Sequence, residues 1–177
     1  MQRILVIGSP GAGKTTLARL MAERLGLPLI HLDREYWRPG WVKPDADEWD
    51  AQAAELAAKP AWIMDGEYPD AAGIQVARAT SIVMLDMPRG LCLARAVRRV
   101  LVNYRKERAD LGEGCPEYFN RDYWTFARFI WTYPEKVRPK MLAVLRALRP
   151  DQAGFLLSSQ AEVLAFEAGL PALLKAA

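Results

Sequence analysis

A glycine-rich loop near the start of the chain carries the residue types best suited to chemistry. Residues 8–16 read GSPGAGKTT and match the pattern G-x-x-x-x-G-K-[ST], in which backbone N–H groups cradle phosphates. The apolar run Ile4–Ile7 precedes the loop and an amphipathic helical pattern follows it, so the motif has the strand and the helix that it requires. We therefore expect this loop to bind a nucleotide through its phosphates.

Each residue type in the loop has a physical role. Glycine adopts backbone conformations that are closed to residues with a Cβ, so several N–H groups can face one anion at the N-terminus of the next helix. Lys14 is expected to reach the β- and γ-phosphates of ATP, and the Thr15 hydroxyl to hold Mg²⁺. Thr16 either contacts the nucleotide or packs in the first helical turn. The expected nucleotide-binding residues are Gly8, Gly11, Ala12, Gly13, Lys14, Thr15 and Thr16.

The composition limits the class of protein. The chain has 177 residues, of which 51% are hydrophobic and 25% charged, which fits one ordinary globular domain. A net charge of +3 does not require a nucleic-acid partner, although it leaves direct nucleic-acid binding open. Two cysteines give no disulfide framework and no apolar run is long enough to span a bilayer, so we expect a cytoplasmic protein without a membrane partner. The sequence leaves the oligomeric state open.

Apolar runs alternate with helical patterns along the chain. Strands are predicted at residues 4–7, 28–33, 61–65, 81–86 and 154–158. Helices are predicted from the loop to Gly26, at 46–58 behind Asp45, after Pro88, around 137–148 and at 160–175. This alternation is typical of an α/β fold in which helices wrap a parallel sheet, and ligands then bind beyond the carboxyl ends of the strands.

Three of the predicted strands end in aspartate, and these ends face the same crevice as the loop. A carboxylate beside a polyphosphate can bind Mg²⁺ through water or take a proton from an attacking hydroxyl, whereas the alternative role is a cap on the next helix. We assign Asp33 to the phosphate acceptor, since it lies one strand from the loop. For Asp86 a place in the metal shell and a cap are both open, and for Asp65 a place in the acceptor pocket and a cap. The only histidine, His31, is better explained by a core hydrogen bond than by catalysis.

An aromatic and basic segment lies between Asp33 and Asp45. Its two tryptophans, one tyrosine and two arginines suit the wall of a site for a flat or anionic ligand. Arg38 could grip a phosphate or carboxylate and Trp37 or Trp41 could stack on a base, while the alternative is that the rings pin the loop to the core. Residues 34–60 are the expected acceptor-binding region. The expected substrate-binding residues are Asp33, Arg34, Trp37, Arg38 and Asp65.

Basic residues gather in and after the helix that follows Pro88. Phosphoryl transfer spreads negative charge over the transferred group, and arginines that close over it stabilise that charge. Residues 103–118 break the helical pattern with charge and glycine, which indicates a mobile lid that closes over the site and excludes water. The alternatives are a solvated basic face and a contact surface for a nucleic-acid backbone. The basic group comprises Arg95, Arg98, Arg99, Arg105, Lys106 and Arg108.

Five stretches of residues 4–119 together resemble the small P-loop kinases of the adenylate kinase and shikimate kinase type, and more closely the group named DNA topology modulation protein or FlaR-like. The resemblance implies a three-layer P-loop NTPase fold with a five-stranded parallel sheet, a flexible acceptor-binding region after strand 2 and a helical, arginine-bearing lid insertion. A lone cysteine, Cys115, excludes the zinc-bearing lid of some adenylate kinases. The matching stretches are GSPGAGKTT, HLDREYWRPGW, WIMDGEY, IVMLDMPR and GCPEYF.

The residues and the resemblance favour a kinase that moves the ATP γ-phosphate to a small anionic or nucleotide acceptor. By similarity, Lys14 binds phosphate, Thr15 binds Mg²⁺ and Asp33 serves the acceptor. The lid arginines match the family only loosely, because the spacing of residues in the lid varies. The alternative is a nucleotide-dependent regulator associated with DNA topology that hydrolyses ATP slowly. A GTPase-type switch is disfavoured, since the chain has no convincing Asn-Lys-x-Asp motif. The expected catalytic residues are Lys14, Asp33, Arg99, Arg105 and Arg108.

Overall fold

The computed structural model describes residues 2–66 and 72–175. Its five strands are β1 (Arg3–Gly8), β2 (Leu29–His31), β3 (Trp62–Asp65), β4 (Ser81–Leu85) and β5 (Ala153–Leu157). They form one sheet of order β2-β3-β1-β4-β5, and every neighbouring pair is parallel. The predicted five-stranded parallel sheet is therefore confirmed.

Helices cover both faces of this sheet. They are α1 (Lys14–Leu25), α2 (Leu32–Tyr36), α3 (Ala46–Ala58), α4 (Ala72–Arg78), α5 (Arg89–Val102), α6 (Arg121–Lys136), α7 (Arg138–Arg146) and α8 (Gln160–Lys175). The alternating side chains of β1 separate two cores. Ile4 and Val6 pack with residues of α1, α5 and α8, whereas Leu5 and Ile7 pack with residues of α3, α4 and α7. A continuous apolar run is what a strand buried on both faces requires.

The strand order places a crevice at the carboxyl end of β1. From β1 the chain first builds β2 and β3 on one side, and then crosses to build β4 and β5 on the other. Ligands of open parallel sheets bind at such a point of reversal. The glycine-rich loop, residues 9–13, joins β1 to α1 at this point.

The second strand is shorter than predicted. It ends at His31, and Asp33 lies inside the short helix α2 rather than at a strand end. Leu32 and Tyr36 are four residues apart, so a helical turn places both on one face, and Leu32 is fully buried there. The prediction that Asp33 ends a strand is therefore wrong, although the residue still follows β2 at the same edge of the sheet.

Helix α6 was not predicted at all. Asn120 caps it by accepting a hydrogen bond from the Tyr123 amide at 3.0 Å. Tyr123, Ile130 and Tyr133 are its buried residues, and their spacing of seven and three matches one face of a helix. Among the helices that the structure describes, none is long and apolar enough to cross a membrane.

The lid-like segment 103–118 is irregular rather than helical. All of its residues are described, and they form turns and one isolated bridge between Tyr104 and Glu117. Gly112, Gly114 and Pro116 interrupt any helical pattern here. The helical lid of the predicted fold is thus corrected to a non-helical connection between α5 and α6.

Candidate active site

Neighbouring backbones determine the shape of the glycine-rich loop. Gly11 and Gly13 have φ angles of +81° and +107°, in the region that favours glycine. A Cβ at Gly11 would collide with the carbonyl group of Cys92 in α5, and one at Gly8 would collide with the carbonyl oxygen of Leu85 in β4. Glycine is therefore required at Gly8 and Gly11 by close approach as well as by dihedral angle, and at Gly13 by dihedral angle alone.

The loop presents a positive surface at the start of α1. Lys14 Nζ donates to the carbonyl oxygens of Gly8 at 2.7 Å and Ser9 at 3.2 Å, so its ammonium group lies over the loop. Gly13 is the N-cap of α1 and has no side chain with which to cap it. The first amides of the helix, including those of Thr15 and Thr16, are thus placed to accept an anion. Thr15 is half-buried and Thr16 is exposed.

A buried carboxylate lies on the strand next to β1. Asp65 is the last residue of β3, is only 6% exposed, and is paired in register with Val6 of β1 and His31 of β2. Its Oδ2 atom is 3.2 Å from Nδ1 of His31. His31 is therefore hydrogen-bonded inside the protein, as the sequence indicated. Glu67 and Tyr68 of the WIMDGEY stretch lie outside the described residues.

The carboxylate of Asp86 has a cationic partner. Arg138 of α7 donates from Nε to both Asp86 oxygens, at 2.8 and 2.9 Å, and its second terminal nitrogen is 2.8 Å from Oδ2. The hydrogen bond and the charge of Asp86 raise the pKa of Arg138. The sequence did not predict this pair, because Arg138 is 52 residues away along the chain. The metal role expected for Asp86 remains a prediction.

The segment after α2 is closed by aromatic packing. Arg38 and Val42 form an antiparallel bridge around a turn in which Gly40 and Trp41 have positive φ angles. The ring of Trp37 meets those of Tyr36 and Trp41 edge to face, with centroids 5.1 and 5.4 Å apart. Tyr36 also meets Trp49 of α3 at 5.0 Å. These rings pack on one another and on α3, as in the core-packing alternative, while Asp33 and Arg34 are exposed.

Helix α5 contacts the glycine-rich loop through Arg95. Arg95 donates from Nη1 to the carbonyl oxygen of Ala12 at 3.2 Å and from Nη2 to Gln160 at 3.3 Å. A groove of about 300 Å³ beside this contact is lined by Arg95, Arg98, Arg99, Val102 and Asn103. The groove therefore adjoins the loop and carries three guanidinium groups.

A buried charge network joins α5 to the lid-like segment. Arg99 Nε and Arg108 Nη1 lie 3.0 and 2.6 Å from the same oxygen, Oε1 of Glu117, which is 4% exposed. Arg108 also binds both oxygens of Asp110, which Arg19 of α1 approaches to 3.6 Å. Burial lowers the pKa of Arg99, and the charge of Arg108 adds to that effect.

Two of the three predicted lid arginines thus meet in the structure, and the third does not. Arg105 is exposed, has a φ angle of +60° and lies over the ring of Tyr104. Sequence reasoning missed the partners of the other two, Asp110 and Glu117. The available signal was that both carboxylates stand in an arginine-rich stretch whose charges need counter-charges once buried.

The lid-like segment is docked on the segment that follows α2. Gly40 N donates to Gly114 O at 2.8 Å, Trp41 Nε1 to Pro116 O at 3.0 Å, and Cys115 Sγ to Arg38 O at 3.2 Å. The lid-like and acceptor-binding segments of the sequence prediction therefore form one wall of the crevice.

Comparison with known proteins agrees with this architecture. The family model for the ATPase family associated with various cellular activities (AAA) matches residues 4–86, just under half of the chain. A shikimate kinase of Thermobifida fusca (strain YX) is 59% identical over 34 residues. Those residues are 19% of this chain and 20% of that kinase, so the chain matches about a fifth of the relative's length.

Solved structures resemble the chain over nearly its whole length. A shikimate kinase from Acinetobacter baumannii in complex with shikimate has a TM-score of 0.57 at 16% identity, covering 99% of this chain and 94% of that one. A shikimate kinase from Bacteroides thetaiotaomicron has a TM-score of 0.55 at 21% identity, covering 98% of each chain. A gluconokinase from Sinorhizobium meliloti 1021 has a TM-score of 0.54 at 16% identity, covering 97% of this chain and 93% of that one. The chain therefore has the P-loop NTPase fold of these small-molecule kinases, which confirms the five-stranded parallel sheet flanked by helices that the sequence resemblance implied.

Proposed function

We propose that the protein is an ATP-dependent kinase that transfers the γ-phosphate to a small-molecule acceptor. One observation carries this proposal: the glycine-rich loop, with Lys14 over it, lies at the strand-reversal point and is contacted by Arg95 of α5, the helix whose Arg99 joins Arg108 at Glu117. A loop of this type binds polyphosphates, and arginines close to it stabilise the charge of a transferring phosphoryl group. The kinases of the same fold support the reaction type.

The proposed roles follow from the elements that hold each residue. The amides of residues 11–16 and Lys14 bind the β- and γ-phosphates, and Arg95, which contacts the loop, lies beside them. Arg99 and Arg108 stabilise the transferring group. Asp33, on the crevice side of α2, takes the proton from the attacking acceptor hydroxyl. Apart from the proton transfer to Asp33, these roles require only positioning and charge, as is usual for phosphoryl transfer.

The residues at the loop fit a magnesium ion. Mg²⁺ prefers oxygen ligands, keeps several waters and binds through one or two protein groups plus substrate phosphates. Thr15 offers a hydroxyl at the start of α1, and Asp86, which directly follows β4 and is paired with Arg138, offers a carboxylate. Among the described residues no cluster of three histidine, cysteine or acidic side chains forms a self-sufficient metal site, which suits an ion that arrives with the nucleotide. When bound, the ion would neutralise charge on the phosphates.

The acceptor is proposed to be a small anionic metabolite or a nucleotide. The aromatic and basic segment after α2 and the docked lid-like segment enclose the acceptor side of the crevice, whereas Arg34 lines a separate groove with Pro28 and Lys59 at the edge of β2. The Acinetobacter baumannii neighbour was solved with shikimate, and the Sinorhizobium meliloti neighbour is a gluconokinase. These two neighbours make polyhydroxylated carboxylic acids the first candidates for the acceptor of this protein.

The test is ADP formation from MgATP with a panel of such acids, sugars and nucleoside monophosphates. One compound should stimulate ADP release in the wild type, and Lys14→Ala and Asp33→Asn should lose at least about 100-fold of that rate. Lys140→Ala is the matched control, because Lys140 is exposed on α7. Full activity in Lys14→Ala would contradict the proposal.

A further inference from the structure

Glu117 is a buried carboxylate that two arginines share. Its Oε1 atom is the meeting point of Arg99, from helix α5, and Arg108, from the lid-like segment. The backbone of Glu117 also links the end of the lid-like segment to its start, because Arg105 N donates to Glu117 O at 2.9 Å. One residue therefore connects the helix, the start of the lid-like segment and its end.

The two arginines need this anion in order to lie together. Their like charges repel, and burial already disfavours the charged form of Arg99. Asp33 and Asp110 act on Arg99 through charge but more weakly than Glu117, and the cations that Asp110 contacts directly are Arg108 and Arg19. Glu117 is therefore the one described carboxylate that is in ion-pair contact with both arginines.

The ion pairs of Glu117 are not what a purely stabilising contact requires. Oε2 of Glu117 is buried without a hydrogen-bond partner among the described residues, and so is the hydroxyl of Tyr123. Buried, incompletely satisfied ion pairs are often less stable than apolar replacements. Residues that break this rule are frequently found at functional sites.

We propose that Glu117 is a positioning residue, which holds Arg99 and Arg108 in the orientation that receives the transferring phosphoryl group. This inference rests on the proposed kinase function. Arg99 Nε lies 3.0 Å from Glu117 Oε1 as an ion pair without hydrogen-bond geometry, so the two terminal amino groups of Arg99 can donate to a phosphate. Arg108 donates one N–H from each of its three nitrogens to Asp110 and Glu117, which leaves the second N–H of each terminal nitrogen for the phosphoryl group. The opposite role would be a placeholder, in which the carboxylate blocks the arginines until a phosphate displaces it.

The two roles predict opposite effects of Glu117→Gln, which keeps the shape and removes the charge. The measurement is ADP release from MgATP, with the acceptor found by the panel and otherwise with water. Calorimetric titration with MgATP gives the fraction of each sample that binds nucleotide, and rates are divided by that fraction. A positioning role predicts a kcat about 10- to 100-fold lower with the Kd for ATP changed less than about threefold, since the loop is untouched.

Two further variants make the test decisive. Glu135→Gln is the matched control, because it removes an exposed Glu–Arg pair to Arg89 of the same helix, α5, and should leave kcat unchanged. Glu117→Asp keeps the charge on a shorter side chain, and it decides the question if the glutamine variant does not fold. Its kcat should lie below that of the wild type and its melting temperature close to it.

Two negative outcomes are possible, and they contradict different claims. A wild-type or higher kcat in Glu117→Gln, or in a folded Glu117→Asp when the former is unfolded, would overturn the positioning role. A wild-type protein that neither binds nor turns over MgATP would instead contradict the kinase function on which the inference rests. The two failures are therefore distinguishable in one set of measurements.

Discussion

At the scale of single residues, the phosphate site depends on backbone groups that come from two neighbouring elements. Gly8 and Gly11 lie against the carbonyl groups of Leu85 in β4 and Cys92 in α5. The loop can therefore keep its shape only while these elements stay in place and these positions stay glycine. The motif in the sequence reflects this steric requirement as well as phosphate chemistry.

Gly11→Ala should weaken ATP binding by at least about tenfold. The added Cβ meets the carbonyl of Cys92, and the φ angle of +81° is strained for alanine. Calorimetric titration with MgATP measures the effect. Gly90→Ala is the control, since a Cβ there has open space and the residue lies in α5, so binding should not change. Equal affinity in both variants would show that the loop does not need this glycine.

The Arg108–Asp110 pair should make stability depend on pH in the acid range. Burial alone would raise the pKa of Asp110, but the hydrogen bond and charge of Arg108 outweigh it and leave that pKa below its usual value. Because the unfolded value is about 3.9, the pair stabilises the folded state above about pH 4, and this stabilisation is lost as the pH falls through the lower folded value.

Melting temperatures of the wild type and Asp110→Asn test this between about pH 7 and pH 2. The difference between them should be largest near neutrality and should shrink to nothing at the acid end. Asp151→Asn removes a carboxylate that also pairs with an arginine two residues away, but that carboxylate is exposed, so its melting curve should follow the wild type. A pH-independent effect of Asp110→Asn would contradict the assignment.

At the scale of elements, the crevice wall is built from two segments that contain little regular structure. The lid-like segment 103–118 rests on residues 37–42 through backbone hydrogen bonds and close packing. Gly112 lies so near the carbonyl of Trp37 that a Cβ would collide with it, and Gly114 packs on Pro39. These glycines thus let the two segments approach each other.

Gly112→Ala should separate the two segments. We expect trypsin to cleave after Arg105, Lys106 or Arg108 at least about threefold faster than in the wild type, because cleavage requires local opening. Gly73→Ala in α4 is the control, since a Cβ there meets nothing within 4 Å. Unchanged cleavage in Gly112→Ala would show that this contact does not hold the segment.

The sequence predicted elements well where a local signal was present. Helix α3 has the predicted bounds 46–58, and Asp45 caps it by accepting from the Asp47 amide. Glu48, three residues after Asp45, is placed to complete a capping box but pairs with Arg38 instead. Helix α6 was missed because its aromatic residues have weak helix propensity, and only their spacing indicated a helix.

The sequence could not predict contacts between distant segments. The Asp86–Arg138 and Glu117–Arg99 pairs depend on how α5, α6 and α7 pack, which no local pattern specifies. The prediction that Asp33 ends a strand was wrong for a related reason. Helix α2 begins at Leu32, whose side chain is buried in the core, and so Asp33 lies inside that helix. The phosphate loop was predictable because its strand, loop and helix are consecutive in the chain.

At the scale of the whole molecule, one sheet supports both sides of the crevice. Its central strand leads into the phosphate loop, its neighbour β3 ends in Asp65, and the other neighbour, β4, leads toward the arginines of α5. Stability and site geometry therefore depend on the same core, but we expect residues at the amino ends of the strands, far from the loop, to affect stability alone.

Trp62→Ala tests this separation. Trp62 begins β3, is fully buried and lies at the end of the sheet opposite the loop. Its truncation should lower the free energy of unfolding by about 3–5 kcal/mol, as measured by urea denaturation. The folded fraction should keep the wild-type Kd for ATP. A large loss of affinity per folded molecule would show that the amino end of β3 also shapes the site.

The most direct test of the central claim is calorimetric titration of MgATP into the wild type and Lys14→Ala, with Lys140→Ala as the control. The account predicts saturable binding with a stoichiometry of about one in the wild type and the control, and affinity at least about tenfold weaker in Lys14→Ala. Absence of binding in the wild type, or identical affinity in all three proteins, would contradict the assignment of residues 8–16 as a nucleotide site.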